Sequence, residues 1–169
     1  MTLQLNSPVP DFSLKDLDGN IVNINDYRDK IVIINFWSCE CPHSERTDKA
    51  ILSICAKWQD EVELITIASN RNESLSGIKK VAETRTIPQV WLDADCEIAN
   101  LFEAVTTPHV FVIDRDGILR YQGAVDDVKF RQKVATQFYL DEAVKSLLAG
   151  DVPEVQETSA YGCAIVREI

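Results

Sequence analysis

The run Ile31-Val32-Ile33-Ile34-Asn35-Phe36-Trp37 has a single polar member, and it restricts the possible folds more than any other stretch of the chain. Apolar side chains on both faces of a strand place it inside a sheet that is covered above and below. The period then changes: Ala50, Ile51, Ile54, Cys55 and Trp58 recur at helical spacing. This predicts a helix from about Pro42 to Gln59 with its apolar stripe against that sheet. A buried strand that hands over directly to an amphipathic helix is the beginning of an α/β layer arrangement.

The rest of the chain continues the alternation. Asp11 to Leu14 and Ile21 to Ile24, around Asp18-Gly19-Asn20, read as an N-terminal β-hairpin. Strands are expected at Val62 to Ser69, Pro88 to Leu92 and His109 to Asp114, and helices at Glu73 to Thr84 and Cys96 to Glu103. Arg115-Asp116-Gly117 reads as a turn into an antiparallel partner, Ile118 to Gln122. A last helix is expected from about Phe130 to Ala149, stopped by Gly150, with an irregular extension over residues 151–169. The expectation is one domain, residues 1–150, with the extension packed on it. At 169 residues the chain is long enough to bury a core of its own.

Charge narrows the partners. Lys and Arg total 17 against 27 Asp and Glu, a formal charge of -10, which repels phosphate backbones and anionic lipid, so neither nucleic acid nor membrane is expected as a partner. The N-terminal residues carry no basic cluster followed by an apolar run, and a cytoplasmic location is the expectation. The cysteines number five, at 39, 41, 55, 96 and 163, and a reducing compartment turns attention from structural disulfides to thiol chemistry.

Cys41 stands where that chemistry is easiest. Pro42 suits a first helical position, which leaves Cys41 at the N-cap. The open N–H groups and positive dipole end there favour a thiolate, the reactive form. His43 adds a donor or positive charge, while Glu40 and the overall acidity oppose it. Without further context, Cys41 is equally a small residue at a helix start, and His43 a solvated side chain of its first turn.

The run SPVPDFSLKDLDGN, the buried strand into NFWSCECPHSE, and TTPHVFVIDRDGILRYQG resemble the thioredoxin-like superfamily, in its TlpA and redoxin (AhpC/TSA) branch. The resemblance implies a thioredoxin fold: a central mixed β-sheet flanked by helices on both faces. It also implies a nucleophile at Cys41 and a cis-proline at Pro108, which faces the cysteine and leaves the Thr107 backbone to pair with an extended thiol substrate. Trp37, Ser38 and Pro42 complete the expected substrate-binding set, Trp37 as a wall of the site or simply the last core residue of its strand. On local sequence alone, Thr107-Pro108 is an ordinary strand-entry proline.

Three departures shape the expected activity. Cys41-Pro42-His43-Ser44 is similar to the C-P-H-C site of DsbA-type oxidases, with Ser44 where the second cysteine would be, so no disulfide can form within the motif. Asn35 replaces the buried aspartate of thioredoxins proper. Ser38-x-x-Cys41 echoes the peroxide-holding T-x-x-C of peroxiredoxins, but Ile34 and Pro108 occupy the places of that family's upstream proline and its arginine. Thiol-disulfide exchange through a single nucleophilic cysteine is therefore expected ahead of peroxide reduction. No bound cofactor is required, and the partners would be a thiol or disulfide protein, a small thiol such as glutathione, or peroxide.

Exchange passes through a mixed disulfide that a second thiol resolves. Cys39 is nearest, but a bridge across one residue is strained. Cys55 lies on the apolar stripe and reads as core, and Cys96 reads as an exposed residue at a helix start. The tail around Tyr161-Gly162-Cys163-Ala164-Ile165 resembles the G-C-x-I ending of a peroxiredoxin-like subgroup. Twelve residues separate Gly150 from Cys163, a reach of roughly 40 Å at ~3.5 Å per extended residue, so contact with Cys41 is sterically open. Cys163 is expected to resolve Cys41, to dock the tail beside it, or both.

Two other classes remain open. Cys39, Cys41, His43 and His109 offer soft ligands for copper(I) or zinc. Copper chaperones of the Sco kind space their cysteines more widely, however, and alternate positions converge poorly once a helix starts at Pro42. A non-catalytic redox sensor that uses one reactive thiol is the other. Asp126-Asp127 reads as a solvated loop.

Overall fold

The computed structural model describes residues 2–168, so Met1 and the last tail residue, Ile169, lie outside the described residues. The apolar run becomes β3 (Ile31–Trp37), and every residue of it is buried. Its pleat sends Val32, Ile34 and Phe36 into one core layer and Ile31 and Ile33 into another. Alternation of Cβ direction along a strand requires this division.

The other elements, in chain order, are β1 (Ser13–Asp16), β2 (Ile21–Asn23), α1 (Pro42–Lys57), β4 (Val62–Ala68), α2 (Leu75–Thr84), β5 (Val90–Leu92), α3 (Glu97–Leu101), β6 (Thr106–Thr107), β7 (His109–Ile113), β8 (Leu119–Gly123), α4 (Tyr139–Leu148) and β9 (Cys163–Ala164). The main sheet runs β2-β1-β5-β4-β3-β7-β8. β4 is parallel to β3 and β5, whereas β7 is antiparallel to β3. Helices α1 and α4 cover the Ile31 face and α3 lies on the Val32 face, so the sheet is mixed and covered by helices on both sides. This is the thioredoxin fold.

Several boundaries differ from expectation. The last helix starts at Tyr139, not near Phe130. Asp127 holds the preceding loop by accepting the Thr136 N–H at 2.8 Å and the Gln132 amide at 2.7 Å. Phe130 and Val134 are about three-quarters exposed, so the apolar stripe that would justify a helix does not begin until α4. Gly150 does stop that helix, at φ +83°, with its N–H on Leu147 O. Helix α2 starts at Leu75 because Ser74 caps it, its hydroxyl accepting from Gly77 N–H at 3.1 Å. The first strand is shifted to Ser13–Asp16 because the Asp16 carboxylate closes the turn, accepting from Asp18 N–H and Asn20 N–H at 2.9 Å each.

Two further expectations are corrected. Cys96 is buried at the head of α3, where its thiol donates to Ser69 O at 3.0 Å. Asp126 is not solvated: it is 6% exposed and takes both arms of the Arg46 guanidinium at 2.9 and 3.1 Å.

Candidate active site

β3 ends at Trp37, and the next four residues turn the chain into α1. Cys41 is the N-cap (φ −88°, ψ 120°) and Pro42 the first helical residue, which places the cysteine against the helix end. The turn is held from within. Ser44, fully buried, accepts the Ser38 N–H on its hydroxyl at 3.3 Å. The residue standing in place of a second cysteine therefore fixes the loop that presents the first.

Cys41 is 2% exposed. Its thiol donates to the Thr107 carbonyl at 3.1 Å, and its sulfur lies 2.8 Å from Cys163 Sγ. The Thr107-Pro108 peptide is cis. Thr107 Oγ1 is a buried hydroxyl without a partner, available to the sulfur once the proton leaves. Burial alone pushes the Cys41 thiol up. The Cys163 S–H, the Thr107 side chain, and the Ser44 and Cys163 peptide N–H groups outweigh it and hold Cys41 below the ordinary thiol value. The Ser44 N–H acts from the helix end without closing a capping bond. Cys163 moves the other way, to about 11, through burial and then through its contacts with Cys41. The pair is thus polarised, Cys41 drawn toward the thiolate and Cys163 toward the thiol.

The remaining expected residues occupy distinct places. Cys39 is buried beside Ile78 and Ala82 in a separate apolar cluster and is pushed up to about 12 by burial and by Glu73. Trp37 is fully buried, its Nε1–H donating to Asp48 at 2.9 Å under the Arg85 guanidinium. It supports the site from below and forms no open wall. Ser38, 3% exposed, donates its hydroxyl to Glu73, so this group is turned away from Cys41's partners. His43 meets the tail, its ring edge-on to Tyr161 at 5.0 Å. His109 is lowered to about 4 by burial, and its Nδ1 accepts the Val105 N–H. With Cys39 and His109 engaged elsewhere, the four soft ligands do not converge, and no cluster of three or more His, Cys, Asp or Glu side chains suited to a metal occurs among the described residues. Among them, too, no helix is long and apolar enough to cross a membrane.

Sequence reasoning missed Glu73. It was expected to open a helix, yet it accepts from Ser38 Oγ, from Cys39 N–H at 3.4 Å and from the Asn70 amide at 3.0 Å. It therefore ties the loop after β4 to the cysteine turn. Its place just before the Ser74 cap was the only signal.

The AhpC/TSA family model matches residues 5–122. The thiol-disulfide oxidoreductase ResA of Geobacillus thermodenitrificans is 32% identical over 114 residues, covering 66% of this chain and 64% of that relative. The chain therefore matches slightly under two thirds of the relative's length. An uncharacterized conserved protein from Geobacillus kaustophilus superposes with a TM-score of 0.88 at 28% identity, over 99% of this chain and 94% of the other. That match takes in the tail carrying Cys163, which lies beyond the family model. A putative thiol:disulfide interchange protein DsbE from Chlorobium tepidum shares the fold at a TM-score of 0.67 and 19% identity, over 88% of this chain and 98% of its own.

Proposed function

The chain belongs to the AhpC/TSA family, and from that premise we propose that it is a thiol-disulfide oxidoreductase in which Cys41 attacks and Cys163 resolves. The observation that carries the reading is the contact of 2.8 Å between the two sulfurs, one held toward the thiolate and the other toward the thiol. The Cys41 thiolate attacks one sulfur of a target disulfide, forming a mixed disulfide and releasing the first target thiol. Cys163 then gives up its proton and attacks Cys41 Sγ, releasing the second. Two electrons pass from the protein pair to the target, and a thiol reductant from outside returns them.

Peroxide reduction has less support here, because the Ser38 hydroxyl that would help hold a peroxide is engaged by Glu73. The test is a trap. Cys163→Ser should accumulate a mixed disulfide on Cys41 that intact-mass analysis detects, whereas Cys41→Ser should accumulate none. A Cys163→Ser protein that turns over as fast as the parent would remove the resolving role.

A further inference from the structure

The backbone edge beside a reactive thiol is a natural berth for an extended chain, because its unpaired N–H and C=O groups recruit a strand. Here the chain's own tail occupies that berth. β9 pairs antiparallel with β6, Thr106 opposite Ala164 and Thr107 opposite Cys163. The approach is close: a Cβ added to Gly162 would stand 2.1 Å from the Thr107 carbonyl oxygen and 3.1 Å from Pro108 Cδ. A glycine before the cysteine is what lets the tail lie flat on this edge.

The covering segment is fastened at both ends. Upstream, Gln122 N–H donates to Gln156 O at 2.9 Å, Thr158 N–H donates to Gln122 O at 3.1 Å, and Thr158 Oγ1 accepts from Ala124 N–H at 2.9 Å. Downstream, Ile165 is buried and its N–H donates to Val105 O at 3.1 Å. Val166 N–H donates to Asn70 Oδ1 at 2.7 Å, and the Arg167 guanidinium donates to Asn100 Oδ1 at 2.9 Å. Between these fastenings the strap crosses Cys41, resting on His43 through Tyr161. A strap held this way can rise slightly over the sulfur while both ends stay fixed. Vacating the β6 edge requires losing one set of fastenings or forcing β9 off at Gly162, where an added Cβ meets the Thr107 carbonyl.

Building on the exchange reading, we propose that the strap selects the substrate of Cys41 by size: the site takes low-molecular-weight disulfides and turns away extended polypeptide disulfides. A small disulfide needs room only at the sulfur, whereas a polypeptide needs the edge that β9 holds. The step balances as RSSR plus the Cys41 and Cys163 thiols giving two RSH and the Cys41–Cys163 disulfide. The segment that bars polypeptides carries the thiol that completes the reaction.

Two reagents with one leaving group test this: the thionitrobenzoate mixed disulfides of N-acetylcysteine and of an extended peptide with a central cysteine. In full-length Cys163→Ser protein, thionitrobenzoate release reports the first chemical step alone. The small reagent should react about 100-fold faster, as the loss of two register pairs at about tenfold each would give. Adding Gly162→Ala should lift the strap and bring the two rates to within about threefold. Asn70→Ala with Arg167→Ala, which removes the side-chain half of the downstream fastening and leaves the Ile165 and Val166 backbone bonds, should move the ratio the same way. Equal rates with the strap closed, or a ratio that neither opening changes, would overturn the proposal. If neither reagent labels native Cys41 while both label the unfolded chain, the exchange reading itself fails.

Discussion

Replacing Cys163 with Ala, and separately with Ser, isolates one of the groups that lower the Cys41 thiol. The helix end, the Thr107 side chain and the peptide N–H of residue 163 are kept in both variants. The S–H of Cys163, 2.8 Å away, is removed by Ala and replaced with an O–H donor by Ser. A hydrogen bond to a charged group contributes about 1.5 kcal/mol or more, and 1.36 kcal/mol corresponds to one pKa unit. Because the lost donor favours the charged form, Cys163→Ala should move the Cys41 midpoint to higher pH. Iodoacetamide alkylation against pH, followed by peptide mass analysis of Cys41, reads this directly. The midpoint reports the thiolate and the plateau reports access. Access should increase in the Ala variant, since Cys41 is 2% exposed under the tail. Cys163→Ser should keep the parent midpoint. Midpoints that coincide in all three proteins would refute the reasoning and remove the Cys163 S–H from the groups that lower Cys41.

Two other predictions concern the frame around the site. His109 is lowered from 6.5 to about 4 by burial, so the unfolded chain binds the proton more readily in that window; the contribution is complete above pH 6.5 and is lost as pH falls toward 4. Between pH 7 and 5 this should cost about 2 kcal/mol of stability, seen as a fall in urea midpoint that His109→Phe flattens; a parent without that fall would show that His109 protonates in the fold. Glu73→Ala strands the Ser38 hydroxyl and the Cys39 N–H and should destabilise by about 1–3 kcal/mol. Because Glu73 adds to burial in raising Cys39, the variant should also label faster at Cys39, and an unchanged labelling rate with an unchanged urea midpoint would assign Glu73 to solvent.

Local pattern carried most of the fold and the first half of the site. An apolar run of seven residues with one polar member reads as an interior strand, and a proline after Cys41 suits a first helical position, so β3 and the N-cap cysteine were legible. The loop before α4 was not, since its shape comes from Asp127 reaching Thr136 and Gln132, a preference that helical spacing does not encode. Cys96 looked exposed after Asp95, and is buried because its left-handed backbone (φ 58°) turns the thiol onto Ser69. Arg46 with Asp126, and Glu73 with Ser38, join residues far apart in the chain, and no local signal marks such pairs. The Gly162-Cys163 tail lies between these cases. Its reach was computable from length, but its seat on β6 depends on a Thr107 carbonyl that only the folded chain brings near.

The most direct measurement is a disulfide map of the reduced, full-length protein after less than one equivalent of a small disulfide. The account predicts one dominant bridge, Cys41 to Cys163, with Cys39, Cys55 and Cys96 still reduced. A Cys39–Cys41 bridge, or a tail cysteine that stays reduced while Cys41 is consumed, would contradict it.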